Sequence, residues 1–327
     1  MQPSERQVVT LSNSAESGRP GAEIERLEKI FDRRAAGFRE VEFLPREIAQ
    51  RMHERLDYIK LQPARVLDAG CGPGADLPRL RERYPGALVF GLDLSGRMAQ
   101  LARGDVAPIG WRRMLPQSLR AAMGTEPSTT NVVQGDYARL PFAGGAFDLL
   151  WSNLALQWHA TPDQIFPEWQ RALKVGGLLM FSTLGPDTLR ELRANGDPDA
   201  TLSFVDMHDF GDMLVASGFE TPVMDAEILT VTYRSAEALL RDVRRWGGEP
   251  RRGMGPVGLG GRAALARQIA SLESQRRADG TIALTFEVIY GHAWKAQVKT
   301  TPQGYSVIRP DEIGRGAGMI KPLKGMN

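Results

Sequence analysis

Cysteine is nearly absent: Cys71 is the one thiol in 327 residues. A single thiol excludes an intramolecular disulfide, and no Cys/His cluster falls at metal-ligand spacing. Charge of one sign is lacking too. Forty-one Lys and Arg stand against 39 Asp and Glu, for a net +2, so the chain has no global field to draw it to nucleic acid or a membrane surface. No stretch is long and apolar enough to span a bilayer. The opening MQPSERQVVTLSNSAESGRPG is polar and lacks the apolar core of a signal peptide. Also missing are a G-x-x-x-x-G-K-[ST] phosphate loop, the G-x-G-x-x-G spacing of dinucleotide folds, and a recognisable Ser/His/Asp or Cys/His set. These absences point to a soluble chain in the reducing cytoplasm, without a metal centre.

What is present is ordinary globular composition, 42% hydrophobic and 24% charged, with material for a sizeable core. Residues 1–22 are rich in Ser, Gly and Pro and are expected to be disordered. Over 23–60 apolar residues recur at helical spacing, with Ile24, Leu27, Ile30 and Phe31 on one face. Leu44, Ile48, Met52 and Leu56 share a face of a second helix. Alternation follows. RVLDAG, ALVFGLD, FDLLWSN and GGLLMFSTL read as buried strands, with the helical ADLPRLRERY and PDQIFPEWQRALK between them. Strands alternating with helices predict right-handed crossovers and an α/β, doubly wound, mostly parallel sheet. Two segments break this rhythm. Residues 104–130 are long for a connection. Residues 234–280 form a basic, Gly-rich stretch between the strand candidates PVMDAEILTVTY and LTFEVIYGHAWKA. Residues 301–327 read as a loose tail.

The run VLDAGCGPGA, residues 66–75, is the turn from the first strand into its crossover helix. Gly70, Gly72 and Gly74 permit positive φ and close backbone approach. A tight turn that only packs is the competing explanation. Asp93 ends the second strand, where acids in nucleotide folds accept ribose hydroxyls. Asp136, in QGDYARLPF, follows the third strand and suits the exocyclic amine of an adenine, and Asn153 follows the fourth. Three acids without a phosphate-binding cation fit a cationic ligand bearing adenosine and an amino-acid tail.

LDAGCGPG, GLDLS, QGDYARLPF and FDLLWSNLALQW, in that order over about residues 64–190, resemble the class I S-adenosylmethionine-dependent methyltransferases. That resemblance implies a seven-stranded Rossmann-like sheet. Gly70, Gly72 and Gly74 would line the methionine part and Asp93 would hold the ribose. Met98 would pack on the adenine, Asp136 would bond its amine and Tyr137 would flank it. Asp68 and Asn153 complete the implied cofactor set. A narrower resemblance runs almost end to end. FDRRAAGFREVEFLPREIAQRM, FSTLGPDTLRELR, LLRDVRRWG and FEVIYGHAW are similar to segments of the malonyl-acyl-carrier-protein O-methyltransferases of biotin synthesis. It implies one methyltransferase domain over 23–300, with N-terminal helices at 23–60 and a helical lid insertion at 234–280. The implied acceptor is the free carboxylate of malonyl-acyl-carrier protein. In one respect the chain departs from many relatives: it has Phe38 where they carry Tyr.

A carboxylate acceptor is already ionised near neutral pH, so no general base is required. Leu154, Leu156 and Trp158 are expected pocket walls, His159 is expected to face the pocket, and Arg245 is a candidate grip on the acceptor carboxylate. The implied carrier protein is acidic and needs a basic surface. Candidates are Arg33, Arg34 and Arg39; Arg112 and Arg113; and Arg241, Arg244, Arg245, Arg251 and Arg252. Among the histidines His208 and His292 sit in the family-specific stretches, and His53 reads as a surface helix position. Three alternatives share the cofactor half: methylation of another small acid or a quinone, an arginine-hydroxylase-like assembly factor, and a binding module without catalysis.

Overall fold

Among the described residues seven strands carry the fold: β1 (Arg65–Ala69), β2 (Leu88–Asp93), β3 (Asn131–Gln134), β4 (Phe147–Asn153), β5 (Leu173–Leu184), β6 (Phe219–Tyr233) and β7 (Ile282–Lys295). The computed structural model describes residues 20–104, 131–159, 161–193, 204–246 and 259–296. Apolar side chains on both faces of the inner strands bury the sheet between two layers, as expected for parallel strands. Along β5, Leu178 and Met180 join one core cluster while Leu179 and Phe181 join the other. β4 does the same from Leu149 on, with Leu149 and Trp151 against Leu150, while Phe147 joins the second cluster across a register irregularity just before Leu149. This period-2 sorting fixes the register, because a one-residue slip would exchange the two faces.

The strands lie in the order β3-β2-β1-β4-β5-β7-β6. β1 pairs in parallel with β2 and β4, β2 with β3, and β4 with β5, whereas β7 runs antiparallel to both β5 and β6. The chain therefore winds outward from β1 in one direction and returns beside it at β4. A crevice opens where the winding reverses, beyond the carboxyl ends of β1, β2 and β4.

Nine helices are described: α1 (Pro20–Arg34), α2 (Phe43–Leu56), α3 (Leu77–Arg83), α4 (Gly96–Ala102), α5 (Ile165–Ala172), α6 (Arg190–Arg193), α7 (Met207–Ala216), α8 (Ala236–Trp246) and α9 (Leu259–Ser274). The predicted face of α2 is present, with Leu44, Ile48, Met52 and Leu56 all buried. His53 on the same helix is a correction. It is buried and stacks on Trp151 with centroids 4.5 Å apart. Burial, then the nearby Arg79 and Arg83, push its imidazole down to about 3, so it stays neutral. Residues 20–22, expected in a disordered N-terminus, are helical. Polar bonds seat α1 against the start of α4 and the end of β3. Asp32 accepts from Ser95 Oγ at 2.6 Å and from Arg97 N–H at 3.1 Å, and Glu28 accepts from Gln134 Nε2 at 3.0 Å.

Within 234–280, Leu239, Leu240, Val243 and Leu272 are buried in the same cluster as the sheet's β7 face. Residues 1–19, 105–130, 247–258 and 297–327 lie outside the described residues, so most of the unusual 104–130 connection, the Gly-rich centre of the lid segment and the tail are not placed. No helix among the described residues is long and apolar enough to cross a membrane.

Candidate active site

Backbone hydrogen bonds shape the loop after β1. The amides of Gly70 and Cys71 both donate to the Leu92 carbonyl, at 2.8 and 3.0 Å. Gly72 N–H donates to Asp93 Oδ2 at 2.8 Å, while Asp93 Oδ1 accepts from Ser95 N–H at 2.8 Å. One carboxylate thus straps the glycine loop to the end of β2. Gly70 has φ +84°, and a Cβ there would stand 2.6 Å from the Cβ of Ala155. Gly74 has φ +83°, with the Ala102 Cβ 2.9 Å from its own missing one. The first of these glycines holds the loop against the turn after β4, and the second lets α3 and α4 meet.

A cavity occupies the crevice. Its lining includes Asp68, Gly70, Gly72, Asp93, Met98, Tyr137, Asn153 and Trp158, which brings together most of the predicted set. Five predicted residues are not among the lining, and one of them, the expected pocket wall Leu156, is buried in the core cluster on the other face of the sheet. Gly74 packs on Ala102 instead. Asp136 turns its Oδ1 to Ala138 N–H at 2.8 Å, an Asx-type turn that presents its neighbour Tyr137 to the cavity. His159 accepts from Thr161 N–H through Nδ1 at 3.2 Å and meets Tyr137 ring to ring at 6.4 Å. Arg245 pairs with Glu40 at 2.7 Å, with its side chain largely in solvent. Of the other histidines, His208 is exposed beside Asp206, and burial pulls His292 below its ordinary value.

Several lining residues escaped the sequence analysis. Leu27 and Phe31 arrive from α1, Asp76 from the start of α3, Gln157 from the turn after β4, Trp246 from the end of α8 and Phe286 from β7. Phe31 meets Trp158 edge to face at 5.1 Å, and Arg34 lies over both rings. Trp246 donates its indole N–H to the Val41 carbonyl at 2.9 Å and packs its ring against Phe286 at 5.1 Å. Spacing along the chain carries no signal for partners this remote. Leu154 has φ +51°, a strained value for a branched residue. Its N–H is held by Ser182 Oγ at 3.0 Å and its carbonyl by Gln157 Nε2 at 2.7 Å.

Charge divides the cavity unevenly. Four acids line it, Glu42, Asp68, Asp76 and Asp93, while Lys, Arg and His are absent from its described lining. Burial drives the Asp68 carboxyl well above its usual range, and repulsion from Asp76 and then Asp93 adds to this. Asp93 is pushed up to about 6 by burial, although the Ser95 and Gly72 amides pull the other way. The Cys71 thiol is held well above its ordinary value by burial and by the nearby acids, so it stays protonated and is no nucleophile.

Asp93 supplies a pH test. Its value in the fold exceeds the ordinary 3.8, so its ionisation removes stability from the ligand-free protein as pH rises from about 4 through 6. A ligand whose hydroxyls donate to the ionised carboxylate reverses that cost. The thermal shift given by S-adenosylhomocysteine is therefore expected to be larger near pH ~7.5 than near pH ~5.5. An equal shift at both values would remove Asp93 from the binding site.

Comparison with known proteins adds three findings. Residues 67–181 match the family described as "Methyltransferase domain". The malonyl-[acyl-carrier protein] O-methyltransferase of Laribacter hongkongensis is 45% identical over 274 residues, covering 83% of this chain and 89% of that one. The protein of the same name from Gallionella capsiferriformans is 43% identical over 287 residues, 86% of this chain and 94% of its own. Among solved structures, the YcgJ protein of Bacillus subtilis superposes with a TM-score of 0.51 at 17% identity, over 76% of this chain and 99% of that chain. The last likeness bears on fold alone.

Proposed function

The chain belongs to the malonyl-[acyl-carrier protein] O-methyltransferase family, and from that premise we propose that it methylates the free carboxylate of malonyl-acyl-carrier protein with S-adenosylmethionine. The product is the malonyl methyl ester, the primer that biotin synthesis elongates. One observation carries the cofactor half: a cavity at the sheet's switch point, lined by four carboxylates and, among its described residues, by no basic side chain. Glu42 already has Arg46 at 2.7 Å, but Asp68, Asp76 and Asp93 form no ion pair with the described residues, and carboxylates held out of water are costly unless a cation joins them. The loop suits close approach of the cofactor as well, because Gly70 and Gly72 both line the cavity and both hold positive φ.

When bound, the cofactor supplies an electrophilic methyl group on a positively charged sulfur. The chain's own residues do the remaining work. Gly70 and Gly72 admit the amino-acid part, Asp93 orients the ribose, and Met98 and Tyr137 flank the base. Asn153, Asp68 and Trp158 complete the wall. Phe31, Phe38, Leu184, Trp246 and Phe286 make an apolar acceptor end. An ionised carboxylate entering this end loses water, and attack on the sulfonium then neutralises both charges, so exclusion of water favours the reaction. Positioning supplies the rest. No step needs a base, which agrees with the seating of His159 and Arg245 away from the cavity lining.

Segment 234–280 acts in this reading as a lid, with Trp246 at the end of α8 as its contribution to the acceptor wall. Arg241 and Arg244 are exposed on α8 near that wall and form the proposed landing point for the acidic carrier protein. Arg33 and Arg39, both exposed, extend it; Arg34 is half-buried over the Phe31 and Trp158 rings, and Arg112, Arg113, Arg251 and Arg252 lie outside the described residues. The double substitution Arg241→Glu, Arg244→Glu is expected to raise KM for malonyl-carrier protein about tenfold at low salt, less at high salt, with cofactor affinity unchanged. A KM insensitive to both changes would move the carrier protein elsewhere.

Initial rates with competing acceptors test the function itself. Malonyl-carrier protein is expected to be methylated and acetyl-carrier protein to be inert. A faster rate on a quinone or an unrelated small acid would replace the acceptor and keep the cofactor.

A further inference from the structure

A carboxylate entering an apolar pocket is oriented by whatever hydrogen-bond donors the pocket leaves free. The neutral side-chain donors in the described lining are Cys71, Tyr137, Asn153, Gln157, Trp158 and Trp246. Most are committed within the fold. The Cys71 thiol donates to the Gly72 carbonyl, Tyr137 Oη to that of Ala155 and Trp246 Nε1 to that of Val41. Asn153 uses its amide hydrogens on the Pro45 carbonyl at 3.0 Å and on Asp76 Oδ2 at 3.2 Å. Gln157 differs. Its Nε2 donates one hydrogen to the Leu154 carbonyl at 2.7 Å, and no acceptor among the described residues takes the second. Which end of the amide faces Leu154 is fixed by chemistry, since a carbonyl only accepts. The other end, Oε1, accepts from Oγ1 of the fully buried Thr183 at 3.5 Å.

These two bonds hold the amide at both ends, so its remaining hydrogen has a fixed direction. Trp158, the other uncommitted donor, is placed only by packing, edge to face on Phe31 at 5.1 Å. Gln157 also stands beside the apolar end of the cavity, because Thr183 directly precedes Leu184 on β5 and Leu184 is part of that wall. Its bond to Leu154 helps to hold the left-handed φ of +51° at that residue, and backbone strain maintained by its surroundings concentrates at functional sites.

We infer that Gln157 orients the acceptor carboxylate, its free amide hydrogen binding one carboxylate oxygen and leaving the other to attack. This rests on the acceptor reading above and deepens it, by giving the carboxylate a neutral partner among apolar walls. The attacking oxygen's lone pair forms the bond to the methyl carbon while the carbon–sulfur pair withdraws onto sulfur, and no proton moves. A neutral donor directs the nucleophile without neutralising it.

The test is Gln157→Met, which keeps the side chain's length and approximate volume and removes the donor. The enzyme is saturated with sinefungin, a cofactor analogue whose protonated amine replaces the methyl sulfonium and transfers nothing, and is titrated with malonyl- and acetyl-carrier protein. The wild type is expected to bind the malonyl form more tightly. The variant is expected to bind the malonyl form about tenfold more weakly than the wild type does, with the acetyl form and sinefungin each within about twofold. Retained binding of those two also shows that the variant folds. Equal losses on both carrier proteins overturn the proposal and make Gln157 a support of the wall, and an unchanged preference for the malonyl form overturns it as well. A wild type that does not distinguish the two forms overturns the acceptor reading, and this assignment with it.

Discussion

Gly70→Ala is expected to weaken S-adenosylhomocysteine binding a hundredfold or more while the protein still folds. Two costs meet at this position. A φ of +84° is left-handed, a conformation that costs an L-residue about 1–2 kcal/mol. The added Cβ would also lie 2.6 Å from the Cβ of Ala155, so the loop or the turn after β4 must move. Both line the cavity, and neither has slack. The loop is bonded to Leu92, and Ala155 offers its carbonyl to Tyr137 Oη at 3.0 Å. Gly74→Ala is the control. Its Cβ would meet Ala102 at 2.9 Å, away from the lining, so the cost of about 2–4 kcal/mol should fall on stability. Titration of the folded fraction and denaturant unfolding separate the two. If Gly74→Ala harmed binding more than Gly70→Ala, the division between an approach glycine and a packing glycine would be wrong.

Asp93→Ala is expected to weaken cofactor binding by about 1.5–3 kcal/mol through the lost hydrogen bonds to the ribose. The loss should exceed that of an ordinary contact residue because Asp93 also builds the loop. Without it the amides of Gly72 and Ser95 lose their acceptor, and each buried orphan costs about 1–3 kcal/mol. Asp93→Asn preserves one acceptor oxygen and should fall between alanine and the wild type. Unchanged affinity in the alanine variant would refute the assignment.

Much of this was legible in the sequence because buried parallel strands appear as short apolar runs and because the loop's glycines stand out between them. FDLLWSN and GGLLMFSTL became β4 and β5 where expected, and the 3.6-residue spacing of Leu44, Ile48, Met52 and Leu56 located α2. Residues whose role depends on distant partners were not legible. Trp246 reaches Val41 and Phe286, and Phe31 reaches Trp158, contacts that no local period encodes. Asp76 was hidden for a different reason: an acid at the start of a helix has an ordinary explanation as a cap, and only its side chain, turned to Trp151 and Asn153, removes that explanation. His53 sits on a helix rich in charge, yet the face it joins is packed on Trp151. Arg245 offered the right charge for an acceptor carboxylate, but Glu40 claims it.

The division of labour has a chemical logic. Asp68, Asp76 and Asp93 line the cavity together with the glycine loop, which suits a cationic ligand, and in the proposed reading the aromatic walls take the carboxylate that must shed water. A cation gripping the acceptor would blunt its nucleophilicity, so walls without charge suit a reaction in which both partners lose their charge.

Intact-mass spectrometry of malonyl-acyl-carrier protein, incubated with the enzyme and S-adenosylmethionine beside an acetyl-carrier control, tests the central claim most directly. The account predicts a gain of one methyl on the malonyl form alone. A malonyl form of unchanged mass, with cofactor binding intact, would contradict it, as would an equal gain on the acetyl form.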